Sequence, residues 1–239
     1  MAKDVIIALD FPGEPEVFRF LERFGEERPY VKVGMELFYS AGAEMVRELK
    51  RQGFRVFLDL KLHDIPNTVG RAMASLAKLG ADMVNLHASG GSVMMRAAID
   101  ALSDASGTRP VLIAVTQLTS TDSTMLRDEL LIGSAMEETV LRYAENAAKS
   151  GLDGVVCSPL EAESVKRVCG ESFLTVTPGI RFAGTDTQDQ ARVTTPFRAR
   201  ELGSDYIVVG RPITEAESPL EAYRRCVSGF IDGQVNGEV

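Results

Sequence analysis

The chain has 239 residues, of which 45% are hydrophobic and 25% charged, a composition typical of a folded globular protein rather than a disordered one. Its 34 acidic and 26 basic side chains give a formal net charge of −8 at pH 7, which argues against nucleic acid as the main partner. No apolar stretch approaches the roughly 18 residues of a membrane span, and the opening MAKDVIIALD does not resemble a secretory signal. We therefore expect a cytoplasmic protein.

Eight short apolar runs rich in Val, Ile and Leu lie at 5–10, 30–35, 55–62, 83–88, 111–116, 154–158, 174–180 and 206–211. Near-continuous apolar runs are typical of strands buried on both faces of a parallel sheet. Amphipathic stretches with helical spacing lie between them, at 41–53, 68–80 and 136–151. This alternation predicts right-handed βαβ units, and eight such units predict an α/β fold of the (β/α)8 TIM-barrel type.

Nothing in the composition divides the chain into separate domains. We predict one catalytic barrel over 1–231 and a polar, glycine-rich tail over 232–239 that frays. The alternative architecture is an open doubly wound sheet, but its GxGxxG fingerprint is missing from the sequence. The P-loop and GxSxG motifs are also missing, so P-loop hydrolysis and α/β-hydrolase chemistry lose their usual support.

Histidine and cysteine are scarce in this chain. His63 and His87 are the only histidines, which excludes an HExxH motif or a multi-histidine metal site. The three cysteines form no CxxC pair and suit a reducing cytoplasm. These residues therefore give no sequence support for a metal site.

Polar residues recur where the predicted strands end, which is where a barrel of this type carries its catalytic groups. They are Asp10, Lys32, Asp59, Lys61, His87, Thr119, Arg181 and Arg211. A charged residue in a buried strand costs several kcal/mol unless it is paired.

Asp59 and Lys61 stand two residues apart on one strand, so their side chains share a face. Alone, they could form a structural ion pair. Lys32 on the neighbouring strand adds a second cation to the same volume, and Asp64 follows three residues after Lys61. Alternating charges shift pKa values and can hold a charged substrate, so we interpret this cluster as a candidate active site.

The end of the eighth strand, VVGR at 208–211, predicts an anion site. Gly210 lets backbone N–H groups approach an anion closely, and Arg211 offers a bidentate guanidinium. The loops after strands seven and eight are the usual phosphate site of this fold. The polar segment 182–192 is interpreted as a mobile lid, with an ordinary surface loop as the alternative.

DLKLHDIPNTV at 59–69 is similar to the Asp-x-Lys-x-x-Asp signature of the orotidine 5′-phosphate decarboxylase family. A wider superfamily shares that short signature, whereas DIPNT, TPGIR and VVGR in this order resemble the bacterial form of the family more specifically. The likeness continues through ALD (8–10), VKVGMELF (31–38), VNLHASGG (84–91), AVTQLTS (114–120), GLDGVVCS (151–158), TVTPGIR (175–181) and IVVGRPI (207–213).

The resemblance implies a cofactor-independent carboxy-lyase that converts orotidine 5′-phosphate to UMP and CO2 in pyrimidine synthesis. It implies that Asp59 lies next to the substrate carboxylate and that Lys61 stabilises and protonates the C6 carbanion. It also implies that Lys32 bridges Asp59 and the ribose, and that Asp10 accepts hydrogen bonds from ribose hydroxyls.

The resemblance implies further roles for residues around the pyrimidine and the phosphate. Thr119 would meet the pyrimidine edge, while Gln190 and Arg181 would hold the phosphate together with Gly210 and Arg211. A turn hydroxyl is the alternative interpretation of Thr119.

The resemblance also implies a homodimer with shared active sites, in which Asp64 and Thr68 reach into the partner's site. Helix capping is the alternative interpretation of Thr68.

Two other functions fit the same residues. Mg²⁺-dependent sugar-phosphate decarboxylases and synthases of the same superfamily share the signature, and loss of activity in EDTA would favour them. A non-catalytic sensor of phosphate ligands belongs to a different class, but a pure binder has little reason to keep a costly charge cluster.

Overall fold

The computed structural model describes residues 3–103, 108–182 and 193–235. Parallel strands pair in chain order, and the last pairs with the first to close a barrel. The strands are β1 Asp4–Ala8, β2 Tyr30–Gly34, β3 Val56–Leu62, β4 Met83–His87, β5 Val111–Val115, β6 Gly154–Val156, β7 Leu174–Thr177 and β8 Tyr206–Val209. Each predicted apolar run overlaps one of them. The predicted (β/α)8 TIM barrel is confirmed, because β1–β8 pairing rules out an open sheet.

Helices alternate with these strands along the outside of the barrel. They are α1 Glu14–Leu21, α2 Met35–Arg51, α3 Pro66–Ala77, α4 Gly91–Ser103, α5 Met136–Lys149, α6 Ala162–Cys169, α7 Pro196–Glu201, α8 Arg211–Thr214 and α9 Pro219–Val227. In the part of the chain that the structure describes, no helix is long and apolar enough to cross a membrane.

Two helices begin earlier than the sequence pattern predicts. The first, predicted from 41, begins at Met35, and Gly42 interrupts its helical path with a φ of 74°. That interruption breaks the apolar spacing, which is why the pattern becomes regular only beyond it. The second, predicted from 68, begins at Pro66, because the fixed φ of proline suits the first turn of a helix.

The C-terminal tail makes a backbone hydrogen bond beyond the residue from which the composition predicts fraying. The backbone amide of Gln234 donates to the carbonyl of Ser228 at 3.0 Å, within the segment predicted to fray from 232. Residues 236–239 lie outside the described part of the chain.

The apolar core has two layers, one between sheet and helices and one inside the barrel. The inner layer includes Ile6, Tyr30, Phe57, Met83 and Val208. Because side chains alternate along a strand, the inward position of Phe57 also directs the side chains two and four residues later on β3 into the barrel. The inner layer thus forms an apolar floor beneath the polar strand ends.

At the N-terminal end of the barrel, three aspartates each join two neighbouring strands. They immediately precede β4, β6 and β8, in a repeated Gly-x-Asp sequence at 80–82, 151–153 and 203–205. Each carboxylate accepts a backbone N–H from the preceding odd-numbered strand, at 2.7 to 2.8 Å, and pairs with a basic side chain. The sets are Asp82 with Val56 and Lys50, Asp153 with Leu112 and Arg109, and Asp205 with Thr175 and Lys166.

We predict that Asp205→Asn lowers the free energy of unfolding by about 3 kcal/mol, because it leaves the Lys166 ammonium buried without a counter-charge. The Nζ of Lys166 lies 2.6 Å from Asp205 Oδ2, and both side chains are largely buried. Urea unfolding checks this, with Asp128→Asn as the matched control, since the Asp128–Arg127 pair is exposed. Equal unfolding midpoints for the two variants would contradict the prediction.

Candidate active site

Charged side chains from three neighbouring strands form a continuous array at the C-terminal mouth of the barrel. The Nζ of Lys61 on β3 lies 2.7 Å from Asp59 Oδ1. The Nζ of Lys32 on β2 lies 3.3 Å from Asp59 Oδ2 and 3.2 Å from Oδ1 of Asp10, which follows β1. The structure therefore brings these four predicted site residues together, with acidic and basic groups in alternation.

The centre of the array is buried and remains charged. Only 7% of Asp59 and 9% of Lys32 is exposed. Burial by itself would raise the pKa of Asp59, but Lys32 and Lys61 hold that pKa below its usual value. Burial would likewise lower the pKa of Lys32, but Asp59 and Asp10 raise it. Each buried group thus stabilises the charged form of the other at neutral pH.

The glycine that ends β2 makes room for this array. A Cβ atom on Gly34 would lie 3.0 Å from the Nζ of Lys32 and 3.5 Å from Oδ1 of Asp10. The ammonium therefore occupies space that a side chain at this position would take, which accounts for glycine in VKVG.

The array forms one wall of a cavity of about 300 Å³. The remaining walls combine an apolar floor with a polar segment after β5. They comprise Phe57, Val115, Val156, Val176, Pro178 and Val208, with Gln117, Leu118, Thr119 and Ser120. A mostly apolar cavity with a few convergent charged groups is typical of a small-molecule site.

Thr119 lines this cavity. Gln117 lines it as well and is 9% exposed, although the sequence pattern did not single it out. The signal for Gln117 was available, since it stands two residues after Val115 and shares its inward face.

Of the residues predicted for phosphate binding, Gly210, Arg211 and Arg181 lie around the same mouth but not in the lining of the cavity. A Cβ atom on Gly210 would lie 3.7 Å from Asp10 Oδ2, so β8 ends beside the array. Arg211 is half-buried and begins α8. Arg181 follows β7, and its backbone amide donates to the carbonyl of Thr194 at 3.0 Å.

The predicted lid, 182–192, falls almost entirely outside the described residues, as does Gln190.

Asp64 and Thr68 are exposed, and neither lines the cavity of its own chain. Asp64 Oδ1 accepts a hydrogen bond from the backbone amide of Ile65 at 2.6 Å. The helix-cap interpretation of Thr68 is wrong, because Ile65 is the N-cap of α3 and no side chain caps this end.

Two polar residues of β4 complete the surroundings of the array. The Asn85 side chain, which the sequence pattern did not single out, donates to Asp59 Oδ1 at 2.6 Å. The His87 ring lies beside His63, with centroids 5.7 Å apart. Burial, then His63 and Lys61, lower the pKa of His87.

Residues 3–226 match the sequence model of a family described as "Orotidine 5'-phosphate decarboxylase / HUMPS family". The chain belongs to this family. Two relatives named orotidine 5′-phosphate decarboxylase, from Bacillus cytotoxicus and Bacillus mycoides, are 58% and 59% identical to it over 227 residues. Each alignment covers 94% of this chain and 95% of the relative.

Solved structures agree with the sequence relatives. The crystal structure of orotidine 5′-phosphate decarboxylase from Lactobacillus acidophilus has a TM-score of 0.86 and 45% identity, covering 95% of this chain and 99% of that one. The crystal structure of an uncharacterized conserved protein from Geobacillus kaustophilus has a TM-score of 0.85 and 52% identity, with the same coverage of each chain. The family resemblance of the sequence motifs is confirmed.

Proposed function

We propose that this chain decarboxylates orotidine 5′-phosphate to UMP and CO2 in pyrimidine synthesis, without a cofactor. The observation that carries the proposal is the buried array of Lys32, Asp59 and Lys61 in one wall of the cavity. Relatives with this named activity share more than half of the residues of the chain, which supports the same reaction here.

In the proposed reaction, the bond between C6 of the pyrimidine and its carboxylate carbon breaks. CO2 leaves, and the bonding electron pair stays on C6, next to no ordinary electron sink. The Lys61 ammonium provides positive charge where this negative charge develops. It then transfers a proton to C6, which gives UMP, and the neutral amine regains a proton from water.

Asp59 has two roles in this proposal. Its carboxylate fixes the Lys61 ammonium at 2.7 Å, so the cation is oriented before the substrate reacts. It also places a negative charge near the substrate carboxylate, and this repulsion disappears when CO2 leaves. Both roles need an ionised Asp59, and its lowered pKa supplies that state.

The contacts of Asp59 favour this reaction over the Mg²⁺-dependent alternative. Its Oδ1 accepts from Lys61 and Asn85, and its Oδ2 faces Lys32 at 3.3 Å. Mg²⁺ binds proteins through carboxylate oxygens, and both oxygens of Asp59 already face an ammonium group, so a further cation there would meet positive charge. The sensor alternative is disfavoured because binding alone does not need two buried, oppositely charged groups.

We predict that the purified protein turns over orotidine 5′-phosphate, and that EDTA leaves the rate unchanged. Lys61→Ala should fold and bind UMP but lose at least about 10³-fold in kcat, because it removes both the stabilising charge and the proton donor. Loss of pyrimidine absorbance measures the rate, and calorimetry measures UMP binding. Turnover of Lys61→Ala within about tenfold of wild type would reject the role given to Lys61.

The phosphate group of the substrate is proposed to bind where β7 and β8 end. Gly210 and Arg211 would hold it from one side, and Arg181 with Gln190 from the other. Support comes from the position of Gly210 beside Asp10, the proposed ribose ligand, because the phosphate is attached to that ribose. The loops after strands seven and eight are also the usual phosphate site of this fold.

We predict that Arg211→Ala lowers kcat/KM for orotidine 5′-phosphate, although Arg211 does not line the cavity. The loss should correspond to about 2–4 kcal/mol of transition-state stabilisation. Steady-state kinetics measure the loss, and Arg127→Ala is the matched control, since Arg127 is an exposed arginine after β5. An unchanged kcat/KM in Arg211→Ala, with wild-type Tm, would move the phosphate site elsewhere.

We further propose a homodimer with shared sites, which would complete each cavity with Asp64 and Thr68 of the partner. Large exposed apolar side chains support an interface on this side of the mouth, because they follow the adjacent strands β2 to β5. They are Met35, Ile65, Val93 and Leu118. Large apolar side chains exposed on one side of a protein are typical of protein–protein interfaces, and Asp64 directly precedes Ile65 in the chain.

Subunit exchange tests the shared site directly. Lys61→Ala and Asp64→Ala homodimers should both be severely impaired, but a hybrid dimer contains one intact site and one with both defects. Random exchange of equal amounts makes roughly half the dimers hybrid, so about a quarter of wild-type activity should return. If exchange is confirmed by mass and activity stays at the level of the parents, Asp64 acts within its own chain.

We also propose a cytoplasmic location, because the substrate and product are phosphorylated and do not cross membranes unaided.

A further inference from the structure

We propose that Asn85 is a positioning residue that fixes the carboxylate of Asp59 directly and the side chain of Lys61 through its backbone amide. The inference rests on the proposed function for its kinetic test. Asn85 does not itself line the cavity, so it would act through these two neighbours, which do.

The contacts of Asn85 show how one side chain holds both the Asp59 carboxylate and the Lys61 backbone. Asn85 lies on β4 and is only 1% exposed. Its Nδ2 donates to Asp59 Oδ1 at 2.6 Å, and its Oδ1 accepts from the backbone amide of Lys61 at 2.8 Å. The amide group therefore joins a carboxylate and a main-chain N–H that belong to the same strand, two residues apart.

The backbone of β3 needs such a partner at this point. Lys61 has a φ of 50°, which is the left-handed region that residues other than glycine seldom adopt. The pairing of β3 with β4 also shifts register between Leu58 and Leu62, so the regular ladder is interrupted around Asp59 and Lys61. A strained conformation persists only where its surroundings enforce it, and the Asn85 Oδ1 supplies that constraint.

The chemistry of an amide suits this position better than that of a charged side chain. As a neutral donor, Asn85 orients Asp59 without cancelling its charge. As a neutral acceptor, it holds the Lys61 backbone without adding a carboxylate beside Asp59. A lysine or arginine would neutralise the array, and an ionised aspartate would add repulsion.

The first experiment compares Asn85→Leu with wild type. Leucine has nearly the same size but forms neither hydrogen bond. We expect kcat for orotidine 5′-phosphate to fall by about 10²-fold, with KM and UMP affinity changed much less, because misplaced groups affect the reacting geometry more than ligand binding. Thr175→Val is the matched control, since it also removes buried hydrogen bonds, to Gly203 and Asp205. It should lower Tm without lowering kcat.

The second experiment uses Asn85→Asp and a pH profile. At neutral pH the added carboxylate repels Asp59, whereas a protonated Asp side chain can make both hydrogen bonds of the native amide. Like charges raise one pKa of such a pair, so kcat should recover as pH falls through that raised pKa. Lys32, Lys61, Asp10 and His87 also face this region in both proteins, so wild type is profiled over the same pH range and the comparison is made on the ratio of the two profiles.

The outcomes separate this inference from the proposed function. Wild-type turnover with kcat of Asn85→Leu within about threefold of wild type would overturn the positioning role. Absence of wild-type turnover would overturn the proposed function instead. In that case the positioning role of Asn85 is tested by the pKa of Asp59, measured by carboxyl NMR. It should rise in Asn85→Leu, because the Asn85 hydrogen bond helps to lower it, and an unchanged pKa would overturn the inference.

Discussion

The buried carboxylate of Asp59 is the constraint on which the mouth of the barrel depends. Alone, an ionised carboxylate this deeply buried would be unstable, and it would take up a proton. Three groups prevent this: Lys32 from β2, Lys61 from β3 and Asn85 from β4. The C-terminal ends of β2, β3 and β4 must therefore meet around Asp59 for the charge to survive, so the order of the barrel and the chemistry of the site depend on one another.

The two ends of the barrel use similar ion pairs for different purposes. At the N-terminal end, Asp205 combines its lysine partner with a backbone N–H of β7, so the carboxylate holds strands together. At the C-terminal end, the side chains of Lys61 and Asn85 donate to Asp59, which lines a cavity. Residue type does not distinguish a stabilising pair from a reactive one. The backbone contact and the adjoining cavity do.

The sequence predicts the eight strands and the charge array well, because both follow from local spacing. Apolar runs identify buried strands, and a two-residue separation places Asp59 and Lys61 on one face. Asn85 could not be assigned a role in the same way, since its contacts depend on the register shift between β3 and β4. The start of α2 was missed for a local reason, the interruption at Gly42. The Gly-x-Asp repeat is visible in the sequence, but only the strand pairing gives it a meaning.

The irregularity of β3 explains how one strand can supply both a carboxylate and its ammonium partner. On a regular strand, the Cα atoms of Asp59 and Lys61 would lie about 6.6 Å apart and their side chains would point in the same direction. That geometry by itself would not bring the ammonium group to the carboxylate. The left-handed backbone of Lys61 departs from that geometry, and its Nζ reaches Asp59 Oδ1 at 2.7 Å. The strained backbone of Lys61 and the interrupted pairing of β3 with β4 thus accompany the contact between Lys61 and Asp59. Such strain is expected where a site must be ordered before its ligand binds.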